Sequence, residues 1–114
     1  MDDVLELAEK LSQAIADSQR FKDLRKAEGA AMEDEASLQA LKDRDEAAKK
    51  VAEKEQKGEP VEPEDKRALA AAEEAVRINP KLGELWKAQA DFHELLNLVN
   101  KSITSKLDPA ASED

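Results

Sequence analysis

The single histidine, His93, begins the stretch HELLN, which contains the first half of a helical zinc-binding motif. In that motif a second histidine lies four residues after the first, so that both side chains face one metal ion. Here the fourth residue is Asn97, and the chain has no other histidine. Because a catalytic zinc ion is normally held by three protein ligands, we expect no metal and no cofactor. We interpret His93 as a helix-surface or interface residue.

The other polar residues also lack the spacing that catalysis requires. A helical di-iron site needs a glutamate three residues before its histidine, and that position is Ala90. The acidic runs at 33–35 and 42–46 have the mixed charge of a solvated helix surface, whereas catalytic carboxylates need pKa values shifted by burial or repulsion. The three glycines are too far apart for a phosphate-binding loop. We therefore predict that the protein is not an enzyme.

The composition favours long helices and a small apolar core. Of the 114 residues, 40% are hydrophobic, but 20 of the residues are alanine, and 39% of the chain is charged. Only three glycines and four prolines interrupt this helix-forming composition. The length suits one domain. We predict a single all-helical domain over residues 1–107 and a disordered acidic tail over 108–114.

The charge argues against nucleic acid and anionic membranes as partners. The formal net charge is −9, and the chain has two Phe, one Trp and no Tyr. Nucleic-acid binding relies on Lys and Arg meeting phosphate and on aromatic side chains that stack on bases. An acidic surface is equally unsuited to anionic lipids. We therefore expect protein partners, with no direct nucleic-acid contact and no membrane contact.

Cysteine usage and the start of the chain indicate a cytoplasmic protein. With no cysteine, this chain can form no disulfide and no Cys-ligated metal site. The opening MDDVLELAEK is acidic, unlike the basic start of a secretory signal. No apolar run approaches the roughly 20 residues that a membrane span needs.

Cap residues and apolar spacing mark the first two helices. Asp2 or Asp3 is a suitable N-cap for the first helix, whose apolar residues recur every three or four positions. This stripe consists of Val4, Leu7 or Ala8, Leu11 and Ile15. Ser18 is a suitable cap for a second helix, with Phe21 and Leu24 on its apolar face.

The middle of the chain predicts an antiparallel helical hairpin. Asp34 can cap a third helix over about 35–57, and Gly58 suits the position just after its end. A proline in the first turn favours a fourth helix over about 63–78. Because the connection is short, the two helices should pair antiparallel. The faces of both helices are rich in alanine, which permits close approach but buries little area.

A far more apolar fifth helix follows the break at Asn79-Pro80. Its large side chains recur at spacings of three and four, as in a heptad seam, and others widen the face. Residues 79–107 carry ten large apolar residues, whereas the longer stretch 33–78 carries seven. We therefore predict a helical bundle of about five helices. Its long C-terminal core helix should pack on the first two helices, with the hairpin projecting as a charged arm.

The wide apolar face of the fifth helix predicts self-association. The first two helices are too short to cover both of its sides, so we expect a homodimer or a higher even multiple. The alternative is a monomer in which the third and fourth helices fold back over this face. The predicted interface or core residues are Leu82, Leu85, Trp86, Phe92, Leu96, Val99 and Ile103, with Leu11 and Ile15 of the first helix. In this prediction the seam from Phe92 to Ile103 meets the first helix, and Trp86 lies near the second subunit.

Two stretches, SQRFKDLRKAE and VRINPKLGELWKAQADFHELLNLVNKSI, carry a family resemblance. In their order along the chain, from about Val4 to Leu107, they resemble the YlbF/YmcA family of small bacterial helical regulatory proteins. The most specific features are the Asn79-Pro80 break and the helix that follows it. The matching positions in that helix are Leu85, Ala88, Phe92, Leu96, Asn100 and Ile103.

The resemblance implies an all-helical bundle that is commonly homodimeric or larger. Some members regulate bacterial competence, sporulation and biofilm formation through a complex that adjusts ribonuclease-dependent mRNA processing. Those members have been linked to cysteine-ligated iron–sulfur clusters, and this chain departs from them because it has no cysteine.

The resemblance therefore implies a non-enzymatic regulatory or adaptor protein that acts through protein–protein contacts, on RNA processing or developmental regulation. The alternative is a structural or chaperone-like helical oligomer whose hairpins hold clients. That alternative needs an apolar hairpin tip, and KGEPVEPED offers only Val61.

Overall fold

The computed structural model describes residues 2–108, and within that range the chain forms five α-helices and no strand. This confirms the predicted all-helical class. Residues 109–114, which make up most of the predicted acidic tail, lie outside the described residues. The helices are α1 Asp3–Ala16, α2 Gln19–Met32, α3 Glu35–Gln56, α4 Pro63–Arg77 and α5 Pro80–Thr104.

Side-chain caps begin the first three helices where the sequence predicted them. The Asp2 carboxylate accepts a hydrogen bond from the backbone N–H of Val4 at 3.0 Å. The Ser18 hydroxyl accepts one from the N–H of Phe21 at 3.2 Å, and the Asp34 carboxylate accepts one from the N–H of Ser37 at 3.0 Å. Each cap satisfies a backbone donor that the first turn of a helix leaves without a partner.

The α3–α4 hairpin is also as predicted. α3 ends at Gln56, and Gly58 follows with φ of 70°, a left-handed conformation that glycine adopts without strain. Glu62 and Asp65 form a capping box around the proline that starts α4, each side chain accepting from the other's backbone N–H. The two helices pack extensively on each other.

The chain divides into two compact units. Of the described residues, one unit contains those up to 27 and those from 86 onwards, and the other contains residues 28–85. α2 and α5 contribute to both units. The predicted single domain over 1–107 spans the two units and stays a prediction.

The unit of residues 28–85 has a buried apolar cluster to which four helices each contribute one residue. These are Ala31 of α2, Ala40 of α3, Val76 of α4 and Leu82 of α5, and the half-buried Leu41 and Leu85 pack against them. The predicted core was α5 packed on α1 and α2, whereas both hairpin helices also contribute to the cluster found here. They contribute because alanine-faced helices approach closely, so that small side chains become buried. A count of large residues does not detect that burial.

In the other unit the buried apolar residues are Leu24 of α2 and Ala88 of α5. Here α2 lies against the middle of α5 through a contact between Phe21 and Phe92. α1 belongs to the same unit, but none of its residues is buried. The first helix is therefore the element with the least tertiary packing in the described chain.

Candidate interaction surface

The described residues contain no cluster suited to metal chemistry. Among residues 2–108, no three His, Cys, Asp or Glu side chains are grouped so that they could hold a metal ion. His93 lies exposed on α5. None of the helices within residues 2–108 is both long and apolar enough to cross a membrane. The surface features that remain are apolar helix faces.

The stripe on α1 is exposed along most of its length. Val4 is 70% exposed, Leu7 is 64% exposed and Leu11 is 37% exposed, whereas Ile15, at the last turn, is half-buried. The amphipathic pattern of this helix is the one that normally faces a core. Within the described chain, nothing covers most of its apolar face.

An aromatic contact holds α2 against α5. The rings of Phe21 and Phe92 have centroids 5.3 Å apart and planes inclined by 48°, within the range that aromatic pairs prefer. The guanidinium carbon of Arg25 lies 5.4 Å from the centroid of the Phe21 ring, a cation–π distance. These contacts fix the side of α5 that faces α2.

Arg20 adds a polar link at the same place. One of its nitrogens donates to the backbone oxygen of Asp91 at 3.0 Å and lies 3.6 Å from a carboxylate oxygen of Glu94. Because the Arg20 and Glu94 side chains are exposed, the ion pair itself stabilises the fold by less than about 1 kcal/mol. Its main consequence is to hold the start of α2 beside the middle of α5.

The structure distributes the predicted interface and core residues over three environments. Leu82 is 1% exposed and lies in the cluster of residues 28–85, where Leu85 packs against it. The half-buried members are Leu85, Phe92, Leu96, Val99 and Ile15, and the exposed members are Leu11, Trp86 and Ile103. The structure describes one chain, so the assignment of these residues to a subunit interface stays a prediction.

Asn79 joins the starts of two helices. Its side-chain oxygen accepts hydrogen bonds from the N–H of Leu82 and from the hydroxyl of Ser37, both at 3.0 Å. Ser37 is 0% exposed, and its hydroxyl also contacts the Asp34 carboxylate. From the sequence, Asn79 was predicted only as part of a helix break. Asparagine is a preferred N-cap, so its place directly before Pro80 was the signal for this cap.

Asp65 forms a second polar centre, at the hairpin connection. It is 6% exposed, accepts a hydrogen bond from Lys54, and lies 3.2 Å from the ammonium of Lys50. The backbone N–H of Glu62 also donates to it at 3.0 Å. The hydrogen bond from Lys54, followed by that from Glu62, lowers the pKa of Asp65 to about 2.

The sequence patterns did not identify the Asp65 centre, because its contacts join residues of two different helices. The signal was the spacing of Lys50 and Lys54, four residues apart on one face of α3. Asp65 lies in the first turn of the next antiparallel helix, within reach of that face. Pairs across a hairpin compete with pairs along a helix, and the buried acid is the partner found here.

A shallow groove runs along the hairpin between α3 and α4. Its floor is made of alanine, and its rim carries the acidic residues Asp43 and Glu46 together with Lys50. The alanines are Ala47, Ala68, Ala71, Ala72 and Ala75. The groove is the direct consequence of the small side chains that let the helices approach, and it is open to solvent.

Comparison with known proteins gives a family match over nearly the whole chain. The model of the family described as "Control of competence regulator ComK, YlbF/YmcA" matches residues 4–108. A UPF0342 protein of Desulfitobacterium hafniense is 32% identical over 98 residues, which cover 86% of this chain and 75% of that protein. UPF0342 proteins of Lactobacillus acidophilus and Lactobacillus helveticus are each 26% identical over 107 residues, covering 94% of this chain and 92% of theirs. No solved structure gives a significant match.

Proposed function

Because the chain belongs to the family described as control of competence regulator ComK, YlbF/YmcA, we propose that it is a non-enzymatic adaptor. In this proposal it acts through protein–protein contacts and assembles as a homodimer. The family description indicates a regulatory role in bacteria. The adaptor mechanism, the homodimer and a place in the cytoplasm are what the proposal adds.

The observation that carries the proposal is the exposed apolar stripe of α1. A 14-residue helix is marginally stable in water without tertiary packing, and contiguous exposed apolar surface marks sites of protein interaction. Val4, Leu7 and Leu11 of this stripe are exposed although the described chain folds into two compact units. Contact with another protein would cover them.

The charge of the molecule favours proteins as the partners. A net charge of −9 repels phosphate backbones, so an influence on RNA processing would be exerted through a protein of that machinery. If the chain does not touch RNA, fluorescence anisotropy with labelled single-stranded and duplex RNA at physiological salt gives no submicromolar binding. Tight binding that weakens as salt is raised would contradict the adaptor proposal.

The alternative function, a chaperone-like oligomer, has less support from the hairpin. Client binding would require an apolar tip on α3–α4. The one large apolar residue of the connection, Val61, is half-buried, and the residues around it are charged, glycine or proline. The hairpin connection therefore presents little apolar surface to an unfolded chain.

Partner identification in the native host separates these functions. The tagged chain is crosslinked in growing cells and after heat stress, and captured proteins are quantified by mass spectrometry against an untagged strain. An adaptor captures the same few partners in both conditions. A holdase captures a broad set of unfolded proteins that expands after heat, and this result would overturn the adaptor proposal.

The homodimer is tested by light scattering after size exclusion. A dimer gives twice the chain mass of 12.6 kDa, and its melting temperature rises with protein concentration because association stabilises the folded state. A monomer at tens of micromolar with a concentration-independent melting temperature would exclude the homodimer. It would leave the adaptor role to be decided by the crosslinking experiment.

A further inference from the structure

The exposed apolar stripe of α1 is suited to bind a partner, and the charged residues of the helix indicate what kind of surface that partner has. The acidic residues Asp2, Asp3, Glu6 and Glu9 accompany the stripe, with Lys10 as the one basic residue of the helix. Amphipathic helices that lie on anionic membranes carry Lys and Arg on their polar face instead. The occupant is therefore expected to be a protein surface that is apolar and flanked by basic residues.

The far end of α5 has those properties. Leu98 and Ile103 are exposed large apolar residues there. Lys101 lies between them in the sequence, Lys106 follows two residues after the helix ends at Thr104, and both lysines are exposed. We infer that α1 of one chain packs antiparallel on the C-terminal half of α5 of a second copy, and that the second copy returns the same contact. This inference rests on the proposed homodimer and assigns its interface.

Charge fixes the antiparallel orientation. With the helices antiparallel, Asp3 and Glu6 at the start of α1 lie near Lys101 and Lys106. With the helices parallel, the same acids would lie near Asp91 and Glu94 in the middle of α5. Opposite charges across an interface favour a pairing, and like charges exclude it. The dipoles agree, because the positive end of α1 then meets the negative end of α5.

The apolar spacing fits the same arrangement. Both helices carry their large side chains at intervals of three and four residues, the spacing at which the ridges of one helix fit between those of another. α1 has 14 residues and is therefore about 21 Å long, shorter than the 25-residue α5. Val4 and Leu7 can then meet the turns around Ile103 while Leu11 lies near Val99.

The exposure of α1 favours α5 of a second copy, and not α5 of the same chain, as its partner. The two helices belong to one compact unit, yet α1 has no buried residue and only Ile15, near its end, is half-covered. Within one chain most of the stripe therefore stays exposed. A stable interface buries about 1,200–2,000 Å² in total, and one short helix covers only part of that. Two-fold symmetry repeats the contact and doubles the area.

Introduced cysteines test whether the contact is between chains. The protein has no cysteine, so any disulfide reports the engineered positions alone. Leu7→Cys is combined in turn with Val99→Cys, Ile103→Cys or Lys106→Cys, which scans three registers within the short reach of a disulfide. After mild oxidation, the inference requires that at least one pair gives a covalent dimer on a non-reducing gel.

The outcomes separate this inference from the proposed homodimer. Suppose that light scattering shows a dimer, but the disulfides form within one chain or none of the three pairs forms one. The packing of α1 on α5 of the second copy is then wrong, and the homodimer proposal is unaffected. If the protein is a monomer, both fail. Because Leu7 is exposed and Val99 and Ile103 are not fully buried, these substitutions should preserve the helical circular dichroism of each chain.

Charge reversal tests the orientation. Asp3→Lys with Glu6→Lys should raise the dimer dissociation constant at low salt by about tenfold or more, as should Lys101→Glu with Lys106→Glu. All four changes in one chain should restore most of the affinity, since the reversed charges again face each other. The matched control is Lys42→Glu with Lys57→Glu, the same charge change on α3 and its connection, which should leave the constant unchanged. Failure of the fourfold variant to recover would overturn the antiparallel assignment.

Discussion

α1 and α4 are similar in length, 14 and 15 residues, and both have one apolar face, but they differ in burial. α1 carries five large apolar residues and buries none of its side chains. α4 is rich in alanine, yet it buries Ala72, Val76 and even the carboxylate of Asp65. Burial in this chain follows the presence of a closely packed neighbour more than the hydrophobicity of the helix.

The difference has a simple physical origin. Alanine faces let α3 and α4 approach until small side chains exclude water, so each contact buries little area but no partner from outside is needed. The leucines of α1 have more to gain from burial, about 1.5–3 kcal/mol for each side chain, and that gain is not realised within one chain. We therefore expect residues 28–85 to supply most of the stability, and we propose that α1 and the C-terminal half of α5 supply the contacts for association.

The largest expected effect tests the location of the core. Leu82→Ala removes the most buried large side chain of the cluster, so we expect the free energy of unfolding to fall by about 2–5 kcal/mol. That is a large part of the roughly 5–15 kcal/mol that holds a small domain. Urea unfolding followed by circular dichroism measures it.

The matched variant is Leu38→Ala, at an exposed leucine of α3 in the same compact unit, with an expected change within about 0.5 kcal/mol. Equal losses from the two variants would show that the cluster is not the stabilising core.

A smaller effect compares two helix caps. Asn79→Ala removes the cap of α5 and one of the two acceptors near the buried Ser37 hydroxyl, which keeps the Asp34 carboxylate as its partner, so we expect a loss of about 1–2 kcal/mol. Asp2→Ala removes a cap of the same kind from α1, where the site is exposed, and should cost about 1 kcal/mol or less. Both values come from chemical denaturation. A larger loss of stability from Asp2→Ala than from Asn79→Ala would contradict the expectation that residues 28–85 are more important for stability than α1.

Sequence patterns predicted the elements better than their packing. The caps Asp2, Ser18 and Asp34 and the glycine at position 58 could be predicted because each acts within a few residues of its own position in the chain. The Ala31–Ala40–Val76–Leu82 cluster could not, since alanine gives no signal of which face approaches another helix. The same limit hid the Lys54–Asp65 contact, which joins residues of different helices.

The pH dependence of stability tests the contribution of Asp65 at the hairpin connection. The hydrogen bonds to Asp65 lower its pKa from the ordinary 3.8 to about 2 in the folded state. Its contribution is therefore complete above the unfolded pKa and is lost as the pH falls from 3.8 towards 2. Asp65→Asn should lower the melting temperature at pH 7, and the difference from the wild type should shrink through that window. Glu64→Gln, at the neighbouring exposed acid, is the control. A difference that stays constant down to pH 2 would remove Asp65 as its cause.

The smallest expected changes in stability come from two glycine substitutions within residues 28–85. One glycine lies inside a helix and the other lies in a turn. Gly83 lies in the first turns of α5, and a Cβ added there meets nothing within 4 Å. Since glycine destabilises a helix interior relative to alanine, Gly83→Ala should stabilise the fold by about 0.5–1 kcal/mol. Gly58 also has free space but has φ of +70°, so Gly58→Ala should destabilise by about 1 kcal/mol through backbone strain. Thermal and urea unfolding of both variants measure the opposite signs. If Gly83→Ala also destabilises, and does so more at high protein concentration, the open space beside Gly83 is occupied by a second chain, and the compact unit of residues 28–85 takes part in assembly as well.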